Sequence, residues 1–454
     1  MMDTARAARE VQGTLVGEPV VFARVSTDTR SVVPGDLFVA LHGERFDGHD
    51  FVAEAFAKGA VAALVNRLRA PQLTGSLVAV DDTLAGLGRL AQRWREHFSI
   101  PLACVVGSNG KTSVKEMIAA VFRAAVGDEH VLATRGNLNN AIGLPLTLLQ
   151  LRDGHRLAVL ELGMNHRGET RELAALARPT IAVVTNAQRE HQEFMRSVDE
   201  VADEHADVLR ALPMGGTAVI NADDAHAPTW REAAADRRIV EFGLVSHAHV
   251  RGSCDLRADG SELHVRTPAG SFDAFLHAPG RHMVANALAA TAVAFAAGIA
   301  TDAIARGLSQ FRPVAGRLVA RRTSAGQAVI DDTYNANPDS VRAAIDVLAA
   351  IPGEKWLVLG DMGEVGAQGP AFHREIGQYA RTCGIDRLVA SGELTRETVA
   401  AFGSGGEHVA SVDELAARLP AMLPPHATLL VKGSRFMRME RVVAVLVGEL
   451  GSGH

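Results

Sequence analysis

The sequence predicts an α/β protein of three domains: a small α/β N-terminal domain over residues 1–98, a central domain with a mostly parallel sheet over 99–313, and a Rossmann-like C-terminal domain over 314–454. Three observations carry this reading. From about Ser99, short apolar runs bounded by Gly, Asn or Asp alternate with longer stretches of helical period, the pattern of parallel strands joined by crossover helices. The same alternation restarts after Arg312-Pro313. A chain of 454 residues with 47% hydrophobic side chains also exceeds what one core holds, because single cores stop growing well below that length.

Taken in order, the first hundred residues are turn-rich. Thr29-Arg-Ser-Val-Val-Pro-Gly-Asp36 and Phe46-Asp-Gly-His49 separate short strands, and 82–98 reads as a helix leading into the central domain. There, strands are expected at 102–106, 157–162, 181–185 and 217–221. After Lys111, the residues Val114, Met117, Ile118, Val121, Phe122 and Ala125 recur at steps of three and four, so one helical stripe faces the sheet. Residues 107–110 then fall in a strand-to-helix turn. In the last domain, strands are expected at 327–331, 356–360, 387–391 and 428–432, with a helix over 340–351.

Composition narrows the partners. The formal net charge of -6, with a pI near 6.3 and interspersed signs, leaves no electrostatic footprint for nucleic acid or anionic membrane. Cys104, Cys254 and Cys383 are scattered, which argues against a disulfide framework or thiolate zinc site and fits a reducing compartment. The opening MMDTARAARE lacks the apolar core of a signal peptide, and the Ala-rich stretch 283–300, interrupted by Asn286, reads as a buried helix rather than a membrane span. A cytoplasmic monomer acting on small molecules is the expectation.

The turn Gly107-Ser108-Asn109-Gly110-Lys111-Thr112 presents successive backbone N–H groups at a helix N-terminus, where the macrodipole favours an anion. Lys111 adds a mobile positive charge for outer phosphates, and the Thr112 hydroxyl suits magnesium. The general phosphate-loop pattern puts its first glycine five residues before the second; here that position is Val105, and Gly107 stands only three before Gly110. A strand before and a helix after favour a phosphate loop over an ordinary glycine turn, making the central domain a P-loop mononucleotide-binding one. Glu161 ends one expected strand and His191 follows another, and ligands gather at the carboxyl ends of parallel strands. Magnesium's preference for oxygen favours Glu161; His191, read alone, is more readily a packing or surface histidine. Asp331-Asp332 ends a strand before Thr333-Tyr-Asn-Ala-Asn-Pro338. A carboxylate there could bind ribose hydroxyls or an amine, whereas helix capping explains Asn337 and Pro338 but not two adjacent acids. Arg317, just past the domain boundary, could reach a phosphate.

Over nearly its whole length the chain resembles the Mur ligases of peptidoglycan synthesis. The likeness runs through Ser26-Thr-Asp-Thr-Arg30, Asp47-Gly-His49, the loop at 107–113, Asn137-Leu-Asn-Asn-Ala-Ile-Gly-Leu-Pro145, Glu161-Leu-Gly163, Gly280-Arg-His282 with Asn286, and Gly316-Arg317. Asp331-Asp-Thr-Tyr-Asn-Ala-Asn-Pro-Asp-Ser340, Leu359-Gly-Asp-Met-Gly-Glu-Val-Gly366 and Val431-Lys-Gly-Ser-Arg435 look like the branch that adds D-alanyl-D-alanine. The resemblance implies ligation of D-alanyl-D-alanine to UDP-N-acetylmuramoyl-tripeptide with ATP and Mg2+. It implies a catalytic set of Lys111, Glu161, His191, Arg317 and Asp332. Gly107, Ser108, Asn109, Gly110, Lys111, Thr112 and Ser113 would bind ATP phosphates, with His282 and Asn286 near the adenine, Arg317 near the phosphates and Asp332 near the ribose. Thr112 and Glu161 would hold one magnesium, and His191 would help hold a second. Ser26, Asp28 and Arg30 would hold the UDP portion, Asn139 and Asn140 would line the muramoyl-peptide channel, and Asn335 and Asn337 the dipeptide pocket.

One departure stands out. Many members carry a lysine that becomes carbamylated and helps bind the second magnesium, whereas the matching segment here, Ala202-Asp-Glu-His-Ala-Asp207, has His205 and no lysine. Either that metal is held differently, or His205 or a neighbouring acid such as Glu204 substitutes, and no bicarbonate dependence is expected. The alternatives are another amide ligase of the superfamily, either the third-residue-adding enzyme or folylpolyglutamate synthase, and a nucleotide-driven switch that makes no bond. The first hundred residues disfavour the folate enzyme, and Tyr334-Asn-Ala-Asn-Pro338 disfavours the third-residue enzyme.

Overall fold

The structure is a computed structural model in which residues 1–257 and 260–449 are described, so the last residues of the expected C-terminal domain lie outside them. Three larger sheets organise the chain. In the first, Thr14–Val16 (β1), Arg24–Ser26 (β2), Asp36–Val39 (β3), Ala62–Asn66 (β4) and Leu77–Val80 (β5) run in the order β1-β5-β4-β3-β2, parallel except for β1. The helix Thr83–Arg95 (α1) starts where the Asp82 carboxylate accepts the N–H groups of Leu84 and Ala85. Its Leu87 and Leu90 share a fully buried cluster with Leu37, Val39, Leu64 and Val80.

The central sheet has nine strands. Leu102–Val106 (β6), Val131–Ala133 (β7), Leu157–Glu161 (β8), Ile181–Val184 (β9), Thr217–Asn221 (β10) and Arg238–Gly243 (β11) are mutually parallel. Val250–Arg257 (β12), Gly260–Thr267 (β13) and Gly270–Leu276 (β14) extend them as an antiparallel meander, giving the order β14-β13-β12-β11-β10-β9-β6-β8-β7. The expected strands at 102–106 and 217–221 match to the residue, and those at 157–162 and 181–185 each end one residue earlier. Lys111–Val126 (α2) buries Val114, Met117, Ile118, Val121 and Phe122 completely, as the stripe predicts, whereas Ala125 at its end is exposed. Val198–Arg210 (α3) follows β9 and carries His205. Arg281–Ala296 (α4) is buried along most of its length in the core beside α2, and among the described residues no helix is long and apolar enough to cross a membrane.

In the third sheet, Val319–Arg322 (β15), Ala328–Asp332 (β16), Lys355–Gly360 (β17), Arg387–Ser391 (β18), Gly406–Val409 (β19) and Thr428–Lys432 (β20) run in the order β15-β16-β20-β17-β18-β19, parallel except for the edge strand β15. The helix expected over 340–351 is Pro338–Ala349 (α5). It begins two residues earlier because Asn337 and Ser340 form a reciprocal cap, with Pro338 in the first turn.

Candidate active site

A cavity of about 1260 Å³ lies where the central and C-terminal domains meet, lined by the turn between β6 and α2. The shortened glycine spacing has a steric reason. Gly107 has φ +134, and a Cβ there would lie 2.0 Å from Thr185 Oγ1; Gly110 has φ +84, and its Cβ would lie 2.4 Å from Asn286 Oδ1. Both glycines mark places where the loop meets a neighbouring element. The loop is also tied to 185–188: Ser108 N–H donates to Asn186 O, Asn109 N–H to Asn186 Oδ1, and Thr185 Oγ1 to Asn109 O. No side chain caps α2, so its first-turn N–H groups remain available to an anion. Lys111 Nζ folds back onto Gly107 O and Ser108 O, with Glu190 Oε2 at 3.3 Å.

Glu161 closes β8 on the wall of the same cavity. Its Oε1 accepts from Asn139 Nδ2 at 2.8 Å, whereas Oε2 has no hydrogen-bond partner although the residue is only 4% exposed. A buried carboxylate oxygen without a partner is costly unless a cation meets it, so this donor fits magnesium. Among the described residues no three His, Cys, Asp or Glu side chains are grouped to hold a metal.

His191 lines the cavity from the loop after β9, at φ +51. Its Nδ1 is 2.6 Å from Glu364 Oε2 and its Nε2 is 3.6 Å from Glu190 Oε2. Glu364 is also left-handed, at φ +56, and for non-glycine residues each such conformation costs about 1–2 kcal/mol. Two such residues therefore meet at this one cavity. Glu190 is 6% exposed, with Oε1 accepting from His205 Nε2 at 3.0 Å. Burial opposes its ionisation, but Lys111, His205 and His191 outweigh that and lower its carboxyl to about 2. Glu204 is committed elsewhere, accepting the N–H groups of Gly168 and Thr170 at the start of the helix Glu169–Ala177, both at 2.8 Å.

From the C-terminal side, Arg317 Nη2 donates to Thr112 Oγ1 at 3.0 Å and stacks over the Tyr334 ring at 4.3 Å. Asp332 Oδ2 receives Lys432 Nζ at 2.6 Å, because β16 and β20 are neighbours that place these two residues in register. Asp331 instead accepts from Thr333 Oγ1, which accounts for the second acid structurally. Asn337 both caps α5 and exchanges amide hydrogen bonds with Asn109 across the domains. His282, Asn286, Asn335 and Asn140 line the cavity. Burial pushes the His282 imidazole below its ordinary value, against the opposing pull of Asp332. Asn140 is in addition the local acceptor for the N–H groups of Ile142 and Gly143.

Ser26, Asp28 and Arg30 of the N-terminal domain do not line this cavity. Ser26 Oγ bonds Asp28 O and the Ser31 hydroxyl, and Asp28 pairs with Arg30 at 2.7 Å on the surface. Sequence reasoning passed over Glu190, Lys432 and Arg189. The signals were local but faint: an acid immediately before the candidate His191, and a lysine ending the apolar strand β20. Arg189 reaches across the domain junction, 2.6 Å from Asp339 Oδ1 and 2.7 Å from Glu375 Oε2, with Phe372 under its guanidinium. The hydrogen bonds from Arg189 hold the Glu375 carboxyl below its ordinary value. A depressed carboxyl keeps its stabilising charge at neutral pH and loses it as pH falls through that lowered value. Arg189→Ala is expected to loosen the junction and enlarge the radius of gyration in small-angle scattering, because it leaves Asp339 and Glu375 without their shared cation; an unchanged scattering curve would remove Arg189 from holding the two domains together.

Comparison with known proteins agrees along the chain. Residues 22–95 match the family model described as Mur ligase family, catalytic domain, residues 105–294 the Mur ligase middle domain, and residues 316–435 the Mur ligase, glutamate ligase domain. An Escherichia coli protein named UDP-N-acetylmuramoyl-tripeptide--D-alanyl-D-alanine ligase is 40% identical, covering 96% of both chains, and a Bacillus subtilis protein of the same name is 34% identical over 97% of both. Among solved structures, MurF from Acinetobacter baumannii is 33% identical with a TM-score of 0.91, covering 98% of this chain and 99% of that one. MurF ligase from Thermotoga maritima in complex with ADP is 25% identical with a TM-score of 0.82, covering 94% and 97%. With three matched segments in family order and full-length relatives well above 30% identity, the chain belongs to the Mur ligase family.

Proposed function

We infer that this protein is an ATP-dependent ligase that joins the terminal carboxylate of UDP-N-acetylmuramoyl-tripeptide to the amine of D-alanyl-D-alanine, forming the pentapeptide precursor of peptidoglycan. The observation that carries this reading is the shared cavity, in which an uncapped phosphate loop, the partnerless oxygen of Glu161 and the C-terminal residues Asn335, Asp332 and Lys432 face one space. The likeness to folylpolyglutamate synthase structures, at 18% identity, speaks for fold alone.

The tripeptide carboxylate takes the γ-phosphoryl group of ATP, and the amine then attacks the acyl phosphate and expels inorganic phosphate. An oxide could not leave; phosphate can. The protein's part is positioning and charge compensation. The first turn of α2 and Gly107 to Ser113 cradle the phosphates, and Lys111 leaves its carbonyl partners to meet the transferring group. Arg317, already at Thr112, brings a second positive charge from the C-terminal domain. Glu161 and the Thr112 hydroxyl would hold one magnesium, with Asn139 fixing the carboxylate, and His191 would contribute to a second. Magnesium supplies charge neutralisation on the phosphate oxygens. His282 and Asn286 border the adenine, Asp332 the ribose, Asn140 the muramoyl peptide, and Asn335 and Asn337 the dipeptide. The N-terminal division 1–98 holds the UDP portion through Ser26, Asp28 and Arg30, division 99–313 the ATP, and division 314–454 the dipeptide. Closure through Arg189 excludes water, which would otherwise hydrolyse the acyl phosphate. We place the reaction in the cytoplasm, by a monomer, where ATP and nucleotide-linked precursors are available.

The test is phosphate release from ATP with a panel of amine acceptors on the nucleotide tripeptide. D-alanyl-D-alanine is expected to be the preferred acceptor, with no release when either substrate is omitted. Release independent of the acceptor would instead favour a nucleotide-driven switch.

A further inference from the structure

We propose that Glu190, held in place by His205, is a ligand of a divalent cation that enters with ATP, and that this pair makes a carbamylated lysine unnecessary in this chain. The inference rests on the reading of residues 107–113 as the ATP phosphate loop. Glu190 lines the cavity while being 6% exposed; its Oε2 faces Lys111 Nζ at 3.3 Å and His191 Nε2 at 3.6 Å, and its Oε1 faces His205 Nε2 at 3.0 Å. An ionised carboxylate only accepts hydrogen bonds, so His205 Nε2 carries the proton. The opposite nitrogen, Nδ1, is buried without a partner, and the ring is 1% exposed, so the one hydrogen bond this imidazole makes is the one that aims Glu190.

Charge explains what Glu190 is aimed for. Lys111 cannot neutralise Glu190 and an outer phosphate at once. When Nζ swings to the phosphate, Glu190 is left facing phosphate oxygens with a histidine donor as its remaining close partner, and a buried carboxylate and a phosphate repel each other. A divalent cation between them satisfies both, and magnesium characteristically combines one or two carboxylates with phosphate oxygens and water. His191 Nε2, beside the same Oε2, stands where a further ligand would sit. Glu204, the acid next to His205, has both oxygens engaged by backbone N–H groups, and Asp203 and Asp207 pair with Arg210. His205 thus acts through Glu190 as a positioning residue, as partners behind a metal ligand do.

The experiment counts Mn(II) bound to the full-length protein by electron paramagnetic resonance, with a non-hydrolysable ATP analogue present. Wild type is expected to bind two ions per chain and Glu190→Gln one. His205→Ala should weaken one site by about 10–100-fold, and His205→Gln, which keeps an N–H donor, should recover much of that loss. Added bicarbonate should change none of these values. If Glu190→Gln does not fold, Glu190→Asp is read in its place, with a weakened second site expected. Two ions of unchanged affinity in the Glu190 variants, or a bicarbonate-dependent second site in wild type, overturn the inference alone; Glu190 would then be only the resting partner of Lys111. Failure of wild type to bind the analogue overturns the ATP-site reading and this inference with it.

Discussion

Lys111→Ala is expected to lower the rate of ligation by about 10³-fold or more, the scale on which a single cationic group acts in phosphoryl transfer. The side chain sits at the first position of α2, where Nζ is tethered to Gly107 O, Ser108 O and Glu190 by contacts an arriving phosphate can replace. Its charge is therefore free to follow the transferring phosphoryl group, and its loss should fall on kcat more than on nucleotide affinity. The backbone N–H groups of the loop remain, so the variant should still bind an ATP analogue in calorimetry. The fold should also survive, because Lys111 packs into no core and Glu190 keeps its His205 contact. Near-normal phosphate release by the purified variant would sink this ligase mechanism.

The parts of this site that lie close together in sequence were legible in it. The loop at 107–112 announces itself because glycine spacing, the lysine and the flanking strand and helix are all local. Strands β6, β10, β18 and β20 were read to the residue because a parallel strand buried on both faces is a continuous apolar run. The meander β12 to β14 escaped for the converse reason. Its solvent-facing positions carry Arg251, Asp255, Arg257, Glu262 and Arg266, which break the apolar run into single inward residues such as Leu263 and Val265.

What the sequence hid are pairings across distance. Arg189 meets residues 150 and 186 positions away, and Arg317 meets Thr112 from 205 away, so no local pattern signals them. Glu190 and His205 are only 15 apart, yet they lie on a loop and on α3, and their meeting depends on how that helix packs against the sheet. The Ser26 to Arg30 segment was legible as a family likeness, but its side chains bond to one another rather than to the cavity.

Glu161→Gln should separate activity from stability. The native carboxylate is 4% exposed, and only one of its oxygens is hydrogen-bonded, by Asn139. With no cation present that charge is a burden, and a neutral side chain of the same shape removes it. The melting temperature of the free variant is therefore expected to equal or exceed that of wild type. Ligation should nevertheless fall by about 10²–10³-fold, since an amide is a poor magnesium ligand and the charge opposite the phosphates is lost. Activity falls while stability does not, a combination that a misfolded variant cannot imitate. A third follows from linkage: magnesium with an ATP analogue should raise the melting temperature of wild type more than that of the variant, because only binding to the folded state stabilises it. Equal shifts in the two proteins, with turnover within tenfold of wild type, would exclude Glu161 from the metal site and leave its partnerless oxygen without a function.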